Sequence, residues 1–253
     1  MSNERIPVDR VIGKLDEYLH ADDYDGAARH LLYWKAEAEN ACDMRGELTI
    51  NVELMGLYRK TGKKAEAVAA AERAVALLSE LGLSESVTAG TVYVDAATVY
   101  NAFADQEKSL EYFEKARAVY EKFLVPFDPR LAALYNNFAL NLVALGRYER
   151  AKEYYDRALA IGKTAKTAAA VADAAITYLN LANYYEALLG IENALDEIED
   201  CLINAKNLLS SVTERDGYYA FVCEKCANTF GYYGYVEYAE ELKRTAKEIY
   251  ERA

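Results

Sequence analysis

The chain has 253 residues, 53% of them hydrophobic, and a formal net charge of −12 from 41 acidic against 29 basic side chains. Affinity for phosphate backbones and anionic bilayers draws on clustered Lys and Arg, so an acidic balance with no basic run excludes nucleic acids and membrane surfaces and favours a basic or neutral partner. Three prolines and 13 glycines give too little punctuation for a many-stranded sheet protein, which leaves an all-α chain.

In chain order, six amphipathic helix pairs are expected, over residues 8–45, 46–83, 86–125, 129–164, 168–210 and 213–253. The first opens at Pro7, suited to a first helical turn, and bends at Asp22 and Asp23. The second bends at Gly62, the fourth at Gly146, the sixth at Gly234, and the fifth at Gly190, displaced by one. In the fourth, Leu134, Phe138, Leu142 and Leu145 recur at spacings of three and four, the mark of a helix face rather than a strand. The last helix, VEYAEELKRTAKEIYERA, is charged around most of its girth. Where inner pairs carry Phe113, Tyr155 or Ile198 it carries Lys243, as a capping unit with nothing stacked on it would.

A column of small residues runs through the pairs. Just after each turn stand Ala27, Ala67, Ser109, Ala151, Ala194 and Ala239, spaced 40, 42, 42, 43 and 45 apart. Seven positions on stand Trp34, Ala74, Ala116, Ala158, Cys201 and Ala246, with only Trp34 breaking the pattern. The preceding helices carry Leu15, Met55, Ala97, Ala139, Ala182 and Ala227, each followed three residues later by Tyr18, Tyr58, Tyr100, Leu142, Tyr185 or Phe230. Two helices joined by a tight turn pack closely only if large residues face small ones, because interiors are filled to crystal-like density. Alanine stands where a neighbour's ring goes.

The fourth pair shows the arrangement most fully, with Tyr135-Asn136-Asn137-Phe138-Ala139, then Gly146-Arg147-Tyr148-Glu149-Arg150-Ala151, then Tyr154-Tyr155 and Ala158-Leu159. This resembles the tetratricopeptide repeat (TPR) family, and YLNLANYYEALLGIENALDEIEDCL in the fifth pair follows it nearly as well. The likeness covers about residues 9 to 253. The usual unit is about 34 residues long; the 40 to 45 of this chain, with FDPRLAALYNNFA leading into a helix, look like the repeats of kinesin light chains. The resemblance implies one right-handed superhelical α-solenoid of six TPR-like hairpins over residues 1–253, with a groove deepened by the longer helices and lined by the first helix of each pair.

Asparagine keeps recurring on those first helices, at Asn101, Asn136, Asn137, Asn180, Asn183 and Asn228. An amide offers both a donor and an acceptor and pairs with a peptide bond without reading side chains, at lower desolvation cost than a charge. The family resemblance implies the same, since groove asparagines in such repeats clamp bound peptides; the bland alternative is solvation or bonding to neighbouring helices. Tyrosine is abundant too, 22 against seven phenylalanines, and densest at Tyr218, Tyr219, Tyr232, Tyr233, Tyr235 and Tyr238. These read as packing residues with hydroxyls at the rim, with a partner or self-association surface as the alternative.

Chemical motifs are weak. Cys223 and Cys226 have metal-ligand spacing, but no second pair exists and His20 and His30 lie at the other end of the chain. Both cysteines fall in apolar columns and read as small buried hydrophobes, like Cys201. Residues 21–26, ADDYDG, faintly resemble a calcium loop, yet Ala21 and Leu32 occupy the two ends where ligands belong. No catalytic residue, metal or cofactor is expected. No run of 18 apolar residues spans a bilayer, MSNERIPVDR lacks the apolar stretch of a secretory signal, and four scattered cysteines suit a reducing compartment, so a cytoplasmic place is expected. Three functions remain: an adaptor holding an extended peptide along the asparagines, a homo-oligomerising assembly protein using its terminal repeats, and a peptide-sensing regulator.

Overall fold

The computed structural model describes residues 5–164 and 167–252. Among these are twelve α-helices and no strand: α1 (Val8–His20), α2 (Tyr24–Asn40), α3 (Met44–Lys60), α4 (Lys64–Glu80), α5 (Val87–Ala102), α6 (Gln106–Phe123), α7 (Pro129–Ala144), α8 (Tyr148–Thr164), α9 (Ala168–Leu189), α10 (Leu195–Ser211), α11 (Gly217–Tyr232) and α12 (Val236–Tyr250). A single 3-10 turn, Ile191–Asn193, separates α9 from α10. Helix starts are set by side chains that accept from otherwise orphaned N–H groups. Asp23 accepts from Gly26, Asp43 from Gly46, Ser86 from Ala89, Thr167 from Ala170 and Asp216 from Tyr219. Asp23 thus serves as a helix cap within the ADDYDG stretch.

The helices form two compact units, Met1–Phe123 and Leu124–Ala253. In the first, α1 packs on α2, α3 on α4 and α5 on α6, and the hairpins are joined through α2 against α3, α4 against α5 and α3 against α5. In the second, α7 packs on α8, α9 on α10 and α11 on α12, with α9 against α7, α8 and α11. The first helices α3 and α5, and likewise α7, α9 and α11, therefore lie side by side, the arrangement of an all-α TPR-type solenoid.

The small-residue columns make these contacts. Ala27, Ala67, Ser109, Ala151 and Ala194 are fully buried and Ala239 nearly so; Ala74, Ala116, Ala158, Cys201 and Ala246 are buried seven positions on. Trp34 is half-buried and edge-on to Tyr33, while Ala38, four residues on, is a fully buried small residue of α2. Ser109 is admissible because its hydroxyl donates to the carbonyl of Ala97 on the facing helix at 2.8 Å, so no polar atom is stranded. The helices approach closely at Gly90, where a Cβ would stand 2.2 Å from the Tyr120 ring. Large side chains fill the rest: Phe113, Phe138, Tyr155 and Phe230 are completely buried. An ion pair adds to the second hairpin, where Arg73 of α4 donates to both carboxylate oxygens of buried Glu47 on α3, at 2.6 and 3.0 Å.

The turns repeat as well. Seven residues after the first-helix column come Asp22, Gly62, Ala104, Gly146 and Gly234, and all five have positive φ, from 52° to 88°. The third turn gave no sequence signal because its left-handed position is held by Ala104, at φ 61°. A Cβ in that region crowds the following carbonyl.

Ala104→Gly is therefore expected to stabilise the protein by about 1 kcal/mol, read as a raised denaturant midpoint. Ala151→Leu, at a fully buried joint, is expected to cost about 1 to 3 kcal/mol by overpacking, with helical circular dichroism retained.

Candidate functional site

Because α3 neighbours α5, and α9 neighbours both α7 and α11, the residues on each shared face define the surface available to a ligand. In the first unit that face lies between α3 and α5, where Glu53, Arg59, Asp95 and Thr98 line a shallow cavity. Burial raises the Asp95 carboxyl to about 6; Arg59 opposes this and Glu53 adds to it. Burial likewise raises Glu53, with Asp16 of α1 contributing. Asn101 belongs to this unit, half-buried at the end of α5, where its carbonyl accepts the N–H of Ala104 in the turn.

The second unit holds a groove of about 750 Å³ with its open mouth included, between α7, the end of α8, α9 and α11. Asn136 and Asn137 of α7 line it. The Nδ2 of Asn180, on α9, donates to Oδ1 of Asn136 at 2.9 Å. That bond leaves the Asn136 amide hydrogens and the Asn180 carbonyl oxygen for other partners, with Asn136 in the groove lining and Asn180 outside it. The floor is made of small residues, Ala132, Ala133, Ala158, Gly162, Ala170 and Ala174. At Gly162 a Cβ would stand 3.0 Å from that of Ala174, so α8 and α9 meet closely there.

Asn183 and Asn228 are not brought into this groove. The Asn183 side-chain amide lies 3.0 Å from the Tyr233 hydroxyl, whose one hydrogen goes to Glu186, and Asn228 is exposed on α11. The C-terminal tyrosines are engaged within their own unit. Tyr232 and Tyr233 donate to the two oxygens of Glu186 at 2.6 and 2.7 Å, and buried Tyr219 donates to the carbonyl of Leu209. The rings of Tyr235 and Tyr238 lie against Phe230. Cys201, Cys223 and Cys226 are buried, with the Cys201 and Cys226 thiols pushed up to about 12 by burial, which makes them core residues rather than reactive ones.

Three groove residues carry no sequence signal of their own, Asp173 of α9 and Phe221 and Lys225 of α11, and they join Tyr218, read above with the C-terminal tyrosines. The Tyr218 hydroxyl donates to Oδ1 of Asp173. Burial raises the Asp173 carboxyl, while that hydrogen bond and Lys225 pull it back. A positional signal did exist. Asp173 and Tyr218 stand nine residues before Ala182 and Ala227, and the column two residues before the first-helix column reads Gly13, Glu53, Asp95, Asn137, Asn180 and Lys225. Glu53, Asp95, Asn137 and Lys225 of that column line one or other cavity.

Comparison with known proteins agrees with this geometry. The tetratricopeptide repeat family matches residues 47–122 and 88–164. The chain is a tetratricopeptide-repeat protein. Its fold is shared with BtubC (BKLC) from P. vanneervenii, at 22% identity over 81% of this chain and 80% of that one, with a TM-score of 0.69. It is shared equally with one form of the nearly identical TPR-like repeats of kinesin light chain type from Podosopora anserina (20% identity, 81% and 97% covered, TM-score 0.68). The apo form of RapI is similar over 96% of this TPR chain and 97% of its own, at 16% identity and a TM-score of 0.56. Among curated proteins none matches the sequence. Among the described residues of the TPR protein no helix is long and apolar enough to cross a membrane.

The raised Asp95 carboxyl has a measurable consequence. Its folded pKa of about 6 lies above the ordinary value of 3.8, so the fold prefers the proton and loses stability as pH climbs between those values. Asp95→Asn is expected to stabilise the protein by about 3 kcal/mol above pH 7, the gain shrinking to nothing below pH 4, as read by melting temperature across pH.

Proposed function

We propose that the protein is a non-enzymatic scaffold that holds an extended segment of a partner protein in the groove of its second unit. The carrying observation is the Asn180 to Asn136 hydrogen bond, which ties Asn180, itself outside the lining, to groove-lining Asn136 and leaves a donor on Asn136 and an acceptor on Asn180 at the edge of a groove lined largely by small and aliphatic residues. A peptide backbone can approach such a lining closely, and its amide satisfies both groups without side-chain readout. Asn137 lines the same groove and extends the polar edge. Asn101, Asn183 and Asn228 are not assigned to this contact: the first belongs to the other unit, and the other two lie outside the lining without the bond that ties Asn180 to lining Asn136.

Self-association through the C-terminal tyrosines is the weaker reading, because the hydroxyls of Tyr218, Tyr219, Tyr232 and Tyr233 are already bonded within the unit. The net charge of −12 favours a basic or neutral partner, and the reducing environment suggested by the scattered cysteines suits a cytoplasmic role.

The double variant Asn136→Ala, Asn180→Ala is expected to weaken binding of groove-selected peptides by at least about tenfold, since two hydrogen bonds to a buried backbone are lost. Sedimentation should show unchanged mass. Peptide affinity equal to that of the parent protein would overturn the groove assignment, and dissociation of an oligomer on changing Tyr232 would favour assembly.

A further inference from the structure

The groove of the second unit has a charged end that peptide-backbone recognition does not use. Asp173 lines it with one carboxylate oxygen held by the Tyr218 hydroxyl, which leaves the other oxygen for a donor. Tyr218 and Phe221, both about 40% exposed, stand at the same end with ring centroids 6.1 Å apart and planes tilted by 35°. The rest of the lining is mostly apolar, with Ala132, Ala133, Ala170 and Ala174 beside Ile161 and Ile176, a surface suited to an aliphatic stem.

A carboxylate, two aromatic faces and an apolar trough are the three surfaces that a long basic side chain presents its parts to. The methylenes shed water against the floor, the cationic head lies over a ring, and the carboxylate closes the contact. The groove already treats one cation this way, for the Lys225 ammonium sits 4.8 Å from the centroid of the Phe221 ring and acts on Asp173. The chain as a whole, at −12, draws the same sign of charge. Building on the peptide reading above, we infer that the segment held in this groove inserts one arginine or lysine side chain between the Tyr218 and Phe221 rings and the Asp173 carboxylate, displacing Lys225 from the Phe221 face.

The test pans a random decapeptide display library against the full chain and keeps peptides whose binding is lost in Asn136→Ala, Asn180→Ala. These are expected to be enriched in a single arginine or lysine. Replacing that arginine by citrulline, which keeps shape and removes charge, or acetylating that lysine, is expected to cost at least about tenfold in affinity, as truncating one partner of a desolvated charge pair does. Asp173→Asn should lower affinity for the parent peptide by a similar factor and make the protein indifferent to the neutralised residue. Lys225→Met should tighten binding severalfold by freeing the Phe221 face, a gain that a structural role alone would not produce, and exposed Phe221→Ala should loosen it. Groove-dependent peptides with no basic residue, or with one whose neutralisation changes nothing, would overturn this inference and leave the backbone reading standing. If no peptide shows dependence on the asparagine pair, both fall.

Discussion

The structure depends on one steric condition: after each turn, the second helix must present almost nothing beyond a β-carbon to the first. Where that holds, at Ala67, Ala151 or Ala194, the two backbones close up and a neighbour's ring fills what remains, so Phe113, Phe138 and Tyr155 vanish completely from solvent. Ser109 shows that the condition is volume rather than polarity, since its hydroxyl finds a carbonyl at the contact itself. Within each unit the hairpins also lean on one another, because α3 touches α5 and α9 touches both α7 and α11. A first helix is therefore held on one side by its own hairpin and on the other by its neighbours, which is what fixes the position of every groove residue.

That fixing explains why a groove of modest side chains can be selective. Asn136 and Asn180 belong to different hairpins, yet they meet at 2.9 Å because α7 and α9 are packed against each other. Tyr218 reaches Asp173 from the next hairpin by the same logic. Both links join the first helices of successive hairpins, 44 and 45 residues apart in sequence. In the first unit the equivalent face carries Glu53 and Asp95, whose burial makes them reluctant anions, whereas the second unit offers amides and a lysine there. One scaffold thus presents two chemically different surfaces through changes at a single repeating position.

How much of this was legible in the sequence follows from which interactions are local. Hairpin pairing was readable, because column and turn lie within a few residues of each other and recur in all six pairs. The turn at Ala104 was not, since nothing in an alanine advertises a positive φ; only its place, seven residues after Ala97, does. The division at Phe123 and Leu124 also left no mark in the repeat spacing. Of the asparagines, composition alone could not tell Asn136 from Asn183, because their difference is a place in the groove lining, which helices further along the chain complete. Asp173 was hidden for the same reason. An acidic residue on an otherwise alanine-rich helix acquires meaning only when α11 supplies Tyr218 and Lys225 beside it.

The joint between α9 and α10 departs from its siblings. Gly190 takes φ 79° and ψ 149°, and the short 3-10 turn Ile191–Asn193 is interposed before Ala194 resumes the buried register. The added residues are wholly exposed, so the lengthening is absorbed outside the packed interface. Because the interposed residues lie outside the packed interface, a fluorophore, epitope or crosslinking cysteine spliced between Gly190 and Asn193 would ride on the molecule as a passenger, reporting on the groove from the other end of α9.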